Sequence, residues 1–279
     1  MSELGGKVFL VTGANTGIGR VTAEVLAQRG ALVLLACRSR EKAEPVLRQI
    51  SERGGQAEYV ELDLSDLKSV RTCAAEVLGR AGPLHVLINN AGLAGLRKLT
   101  RQGFELTFGV NHLGHFLLTQ MLLPKLLEQP HSRVVIVSSK AHYSARGIDF
   151  EALRQPAQGF TAISAYNVSK LANVLHAKEL ARRYGSQGLH SYALHPGVVA
   201  SDVWRQVPQP LRWLLKRGMI SNEAGAQTTL YCAASPEVAE QSGLYYDECR
   251  EKEPSEPARS SELGSALWNK SLEWTAEPS

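Results

Sequence analysis

Short β-branched and leucine-rich runs alternate with longer segments of helical period along this chain, and that rhythm limits its fold more than any other feature. Lys7–Thr12, Ala31–Ala36, Ala57–Leu62, His85–Asn89, Arg133–Ser138, Leu189–Leu194 and Gly243–Asp247 read as strands. Gly17–Gln28, Arg40–Arg53, Leu67–Gly79, Gln102–Glu128, Ala165–Tyr184 and Glu223–Ala233 read as helices. Strands joined through helices pack as a parallel sheet with right-handed crossovers and helices on both faces. The expected fold is a single doubly wound α/β sheet, a unit for which 279 residues is an ordinary size.

Two stretches break the rhythm. Residues 140–163 and 196–221 both leave the carboxyl ends of strands, the edge at which such sheets bind ligands. After Asp247 the sequence E-C-R-E-K-E-P-S-E-P-A-R-S-S-E is charged and bears prolines, so it reads as a linker before a helix at Glu262–Glu273. Residues 1–250 are thus expected to form one domain that includes a substrate loop at 196–221, with 251–279 as linker and terminal helix.

Composition narrows the function classes. A formal charge of +4 without a run of Lys or Arg speaks against a nucleic-acid partner, and any bound anion is expected to be small. Cys37, Cys73, Cys232 and Cys249 lie far apart in sequence, which indicates neither a disulfide framework nor a metal site and fits a reducing compartment. The amino terminus enters the first strand within a few residues, leaving no room for a secretory signal, and no apolar run reaches the ~18 residues of a membrane span. A cytoplasmic protein is expected, peripheral on a membrane if associated with one.

The first strand-to-helix turn reads T-G-A-N-T-G-I-G, with Gly13, Asn15, Thr16, Gly17, Ile18 and Gly19 as candidate cofactor contacts. Glycines there let the backbone approach a pyrophosphate, whose charge the helix amino terminus favours. A glycine turn without a ligand is the other reading. The second strand ends A-C-R-S-R, so that Arg38 stands where an acidic residue would meet a ribose 2′-hydroxyl. An arginine can pair with a 2′-phosphate instead, which favours NADPH/NADP+ over the NAD pair. Arg40 and Lys42 are more simply solvated charges. Asp63, with Leu64, follows the third strand as either an adenine contact or a helix cap. Asn90, Ala91 and Gly92 close the fourth strand with residues small enough to pass under a cofactor, although Asn90 could instead only tie neighbouring strands.

In S-A-Y-N-V-S-K, Tyr166 and Lys170 fall on one helix face. Chance alone supplies roughly 0.3 such pairs in a chain of this composition, so the pair needs company. Acid–base work near neutrality asks for a phenol depressed by about 2–3 units, roughly 3–4 kcal/mol. An ammonium about 4 Å away at an effective dielectric near 20 contributes up to about 4 kcal/mol.

The company is present. T-G-A-N-T-G-I-G, Arg38, Asp63-Leu64, N-N-A-G, Asn111 in V-N-H-L-G-H-F, Ser138-Ser139, Y-N-V-S-K and H-P-G at His195–Gly197 stand in the order found in the short-chain dehydrogenase/reductase family, which the chain resembles from residue 7 to about 247. The resemblance implies a Rossmann fold and a catalytic set of Asn111, Ser139, Tyr166 and Lys170. It also implies that Tyr166 and Lys170 touch the cofactor and that Pro196, Gly197, Val199 and Ser201 run along the nicotinamide. Ser139 and Tyr166 would hydrogen-bond a substrate carbonyl that receives hydride at carbon and a proton from Tyr166 at oxygen. Asn111 would keep a water that relays protons to Lys170. His195 reads as a packed residue.

Within the family, the insert with G-I-D-F-E-A-L, the H-P-G-V-V-A-S segment and E-A-G-A-Q-T-T-L-Y-C-A resemble the retinol dehydrogenase branch. Its members reduce retinal and other lipophilic aldehydes or ketones with NADPH, and many are membrane-associated, commonly through an amino-terminal hydrophobic anchor. The expected activity is an NADPH-dependent interconversion of a lipophilic carbonyl and its alcohol. A steroid dehydrogenase or a catalytically silent dinucleotide-binding regulator are the alternatives. Residues 207–220 combine Leu211, Trp213, Leu214, Leu215 and Met219 with Arg212, Lys216 and Arg217, which suits an apolar lid or a helix on a membrane surface. Leu113, Phe116, Leu117, Leu118 and Met121 could serve a homodimer, as these helices commonly do in the family, or only the core.

Overall fold

The computed structural model describes residues 3–158, 162–197 and 220–277. Among them an eight-stranded sheet runs in the order β3-β2-β1-β4-β5-β6-β7-β8. Its strands are β1 (Val8–Thr12), β2 (Leu32–Cys37), β3 (Gln56–Glu61), β4 (Val86–Asn89), β5 (Ser132–Val137), β6 (Leu189–His195), β7 (Leu244–Asp247) and β8 (Arg250–Lys252). All pair in parallel except β8, which runs antiparallel to β7. Central strands carry unbroken apolar runs because both their faces are covered; every residue of β5 is buried. The chain winds outward from β1 to β3 and then crosses back to β4, so the order reverses between β1 and β4 and a crevice opens at their carboxyl ends.

The helices are α1 (Gly17–Gln28), α2 (Arg40–Glu52), α3 (Leu67–Gly79), α4 (Leu106–Phe108), α5 (Gly114–Leu127), α6 (Ile163–Tyr184), α7 (Asn222–Ala234), α8 (Glu256–Arg259) and α9 (Ser261–Thr275). Alternate residues of each strand feed opposite cores. Leu10, Leu34, Leu87 and Val134 pack beneath α3, α5, α6 and α9, whereas Phe9, Val33, Ile88 and Val135 pack beneath α1, α2 and α7.

The expected helix Gln102–Glu128 is broken into parts. Glu105 accepts the Phe108 N–H at 2.7 Å and starts α4 there, and a π-helical turn, Gly109–Leu113, then leads into α5. Apolar periodicity does not register a single extra residue per turn. Leu113, Phe116, Leu117 and Leu118 are buried in the core. The segment read as a linker contributes β8 and α8, and the terminal helix joins the main core. In that helix, Trp268 meets the Phe116 ring edge-on at 5.0 Å, and Trp274 lies 5.2 Å from Phe104.

Candidate active site

One cleft of about 480 Å³ lies at the carboxyl edge of the sheet, over the β1/β4 reversal. Gly13, Asn15, Thr16, Gly17, Ile18, Gly19, Arg38, Asp63, Leu64, Asn90, Ala91, Gly92, Ser139, Tyr166, Lys170, Pro196 and Gly197 all line it. Asn111 lies fully buried directly behind this lining. Val199, Ser201 and residues 207–219 of the expected lid lie outside the described residues.

The glycine turn is built by crowding as much as by conformation. Gly13 has φ +67° and Gly17 φ +57°, values that favour glycine. A Cβ on Gly19 would stand 2.6 Å from the Gly13 carbonyl oxygen, so α1 can start this close to β1 only with glycine there. No acidic side chain occupies the first turn of α1, which leaves its positive end open toward the cleft. Behind the turn, the Thr12 hydroxyl accepts the N–H groups of Asn90 at 2.9 Å and Ala91 at 3.0 Å. The Asn90 side chain donates to the Thr12 carbonyl at 2.8 Å, so it does tie the strands together.

Arg38 lines the cleft just beyond the end of β2. Arg40 instead lies over the Tyr59 ring at 5.7 Å. Asp63 does not cap α3. Its carboxylate accepts the Ser65 N–H and hydroxyl, while Asp66 caps the helix through the Lys68 N–H.

Ser139 lies two residues beyond β5 and caps the 3-10 turn Lys140–Ser144, and Tyr166 and Lys170 project from the first turns of α6. The Ser139 hydroxyl neighbours the Tyr166 phenol and acts on it so as to favour its ionised form. Lys170 Nζ donates to the Val137 carbonyl at 2.9 Å and stands 5.5 Å from the Tyr166 ring centre. Ser138 sits beneath and donates to the Lys170 carbonyl at 2.7 Å, fixing α6 against β5. The Asn111 side chain accepts the Leu93 N–H and donates to the Leu93 carbonyl and to Ser169 Oγ. A Cβ on Gly92 would stand 3.4 Å from Asn111 Oδ1 and 3.6 Å from Lys170 Nζ, so glycine keeps the floor beside the lysine open. These features together fit a dinucleotide lying from Arg38 past the glycine turn to Lys170.

The electrostatics differ from the expectation for the Tyr–Lys pair. Burial raises Tyr166 above the usual phenol value, with the Ser139 hydroxyl opposing it. Burial also lowers Lys170 to about 7, so the lysine is only partly charged at neutrality and cannot exert the full Coulombic effect. By the protein's own groups Tyr166 is held as a neutral hydrogen-bond donor.

Two histidines complete the site, of which the motifs named only His195. His142 donates from Nδ1 to the Ser139 carbonyl at 2.7 Å and accepts the Ser255 N–H on Nε2 at 3.2 Å, tethering the serine to the carboxyl-terminal segment. His195 is packed, as expected, with Nδ1 accepting the Lys140 N–H at 3.3 Å. His142 reaches the Ser139 carbonyl locally, three residues on, whereas its bond to Ser255 and that of His195 to Lys140 exist only once β5, β6 and the terminal segment are assembled.

The short chain dehydrogenase family profile matches residues 7–152. Human retinol dehydrogenase 11 is 44% identical over 281 residues, covering 99% of this chain and 88% of that protein. Dehydrogenase/reductase SDR family member 13 of Bos taurus is 43% identical, covering 97% of this chain and 74% of that protein. Among solved structures, an uncharacterized protein from Mycobacterium paratuberculosis superposes with a TM-score of 0.80 at 36% identity, covering 99% of this chain and 95% of that one. A short chain dehydrogenase from Shigella flexneri complexed with NADP superposes with a TM-score of 0.71 at 26% identity, covering 89% and 99%. No helix among the described residues is long and apolar enough to cross a membrane.

Proposed function

Because the chain belongs to the short-chain dehydrogenase family, and so is an oxidoreductase of nicotinamide dinucleotides, we propose that it interconverts a lipophilic aldehyde or ketone of the retinal type and its alcohol, using NADPH. The observation that carries this reading is a cleft whose lining joins the glycine turn and Arg38 to Ser139, Tyr166 and Lys170. The retinol dehydrogenases named among its relatives support the lipophilic substrate, and an arginine at the end of β2 supports the 2′-phosphate.

Gly13–Gly19, Arg38, Asp63 and Asn90–Gly92 would hold the dinucleotide, with Tyr166 and Lys170 at its nicotinamide end. When bound, it supplies or takes up the hydride. Ser139 and Tyr166 orient the substrate oxygen by hydrogen bonds, and Tyr166 donates its phenolic proton as negative charge develops there. A phenol held neutral by burial is in the right form to donate. Lys170, fixed at the Val137 carbonyl and lowered to about 7, can gain or lose a proton near neutrality and so restore Tyr166. Asn111 is held by Leu93 and Ser169 on the far side of that lysine and keeps its surroundings polar.

The test is consumption of NADPH, with NADH in parallel, against all-trans-retinal, aliphatic aldehydes and steroid ketones. Retinal turnover with preference for NADPH is expected. Tyr166→Phe should lower turnover at least about 100-fold while NADPH still binds. Arg38→Asp should reverse the cofactor preference by placing a carboxylate against the 2′-phosphate. Full activity of the Phe variant, or unchanged cofactor preference in the Asp variant, would overturn the corresponding assignment.

A further inference from the structure

Thr12 and Asn111 are joined through a buried imidazole. The Thr12 hydroxyl oxygen accepts two backbone N–H groups, from Asn90 and Ala91, so its lone pairs are occupied and its proton must be donated elsewhere. His115 Nε2 lies 2.9 Å away, nearer than the Ile88 carbonyl at 3.4 Å. With Nε2 accepting, a neutral ring carries its proton on Nδ1, and Nδ1 lies 3.1 Å from the Asn111 carbonyl oxygen. Every donor and acceptor role along this path is then consistent. From Asn111 the connection continues through its side chain to Ser169 Oγ, which donates to the Tyr166 carbonyl at 2.8 Å. His115 is 1% exposed, so no water competes for either nitrogen from outside.

We propose that His115 is a positioning residue of the reaction, a neutral imidazole that locks the Asn90–Gly92 turn under the cofactor to the π-helical turn carrying Asn111. The inference rests on the functional reading of that turn and of Asn111 and Tyr166 given above. Its consequence is that cofactor binding and turnover are coupled through one side chain, and that the two halves of the coupling can be separated. Glutamine reaches as far as Nε2 and can still accept from Thr12 but lacks the Nδ1 donor. Asparagine can still donate to the carbonyl four residues back but does not reach Thr12.

The experiment measures the NADPH dissociation constant by fluorescence and kcat with retinal for the full chain and for His115→Gln, His115→Asn and His115→Leu. One net hydrogen bond corresponds to about a 3- to 10-fold effect. His115→Gln should lower kcat by that factor with the dissociation constant within about twofold, whereas His115→Asn should weaken NADPH binding by that factor with a smaller loss of kcat. His115→Leu should show both losses; if it fails to fold, the Gln and Asn variants carry the comparison. Parent-like constants in both, or losses in Gln and Asn that move together with thermal stability and show no split, would overturn the proposal. Asn111→Ala and Tyr166→Phe are measured alongside. Full activity in those two would overturn the catalytic reading itself, a failure distinct from that of His115.

Discussion

His112, His115 and His176 are sealed between α5, α6 and α9 at 2% exposure or less. Burial lowers His112 to about 3 and His115 to about 4, and carries His176 well below its ordinary value, so all three fold as neutral rings. Their folded values lie below the unfolded value of 6.5. The stability they confer is therefore complete above 6.5 and is lost as pH falls from 6.5 toward 4, because the unfolded chain binds the protons. Each histidine steepens that loss by about 1.4 kcal/mol per pH unit. Urea unfolding should give a stability that is level near pH 8 and falls steeply below 6.5. His176, neither of whose ring nitrogens has a hydrogen-bond partner, offers the sharpest check. His176→Leu should shallow the acid limb and raise stability at pH 5.5 by about 1–3 kcal/mol; an unchanged limb would contradict the burial argument. At this scale the sequence exposed the residues that sit in motifs. Arg38, Tyr166 and Lys170 were found from their positions at strand ends and on a helix face, and Asn111 and Ser139 by family resemblance. Thr12 and His115 stand inside quoted motifs and His142 three residues after Ser139, but the contacts of Thr12 with His115 and of His142 with Ser255 arise only on folding and left no trace in the sequence. The electrostatics of the Tyr–Lys pair also escaped, since spacing fixes proximity but says nothing of burial.

The β7–β8 connection shows what local chemistry can leave unoptimised. Two residues, Glu248 with φ +54° and Cys249 with φ +58°, turn the chain between Asp247 and Arg250. Two successive positive φ values are the signature of a type I′ turn, for which Asn-Gly is the preferred pair. Cys249→Gly should therefore stabilise the chain by about 1 kcal/mol, read as a higher denaturation midpoint with unchanged cofactor binding. A lower midpoint would show that the contact of Cys249 Sγ with Thr228 Oγ1 outweighs the backbone strain. Most elements could be placed within a residue or two, since their apolar periodicity is long. This hairpin could not: E-C lacks the usual turn residues, and a three-residue strand carries no periodicity. Its charges, all exposed, gave the appearance of a linker.

On the scale of the whole molecule, the terminal helix lies across the face of α5 and α6, with Arg183 over the Trp268 ring at 4.5 Å and His112 bonded to Ser271 at 3.0 Å. The strand–helix alternation was enough to indicate the sheet and its two layers, but the docking of α9 depends on a pattern of tryptophans that suits many partners. The same segment finishes the sheet. β8 is the outermost strand beyond β7, it is only three residues long, and its residues Arg250, Glu251 and Lys252 are all exposed. An open edge of apolar parallel strands would be a template on which another chain could add a strand, and a short charged strand running the other way closes it to such growth. Replacing Arg250, Glu251 and Lys252 with Val, Thr and Val should leave the fold and cofactor binding in place but produce concentration-dependent aggregation in light scattering, whereas continued monodispersity would locate the protection elsewhere. The charged tail thus bears on how concentrated this enzyme can become in a crowded solution before its sheets begin to join.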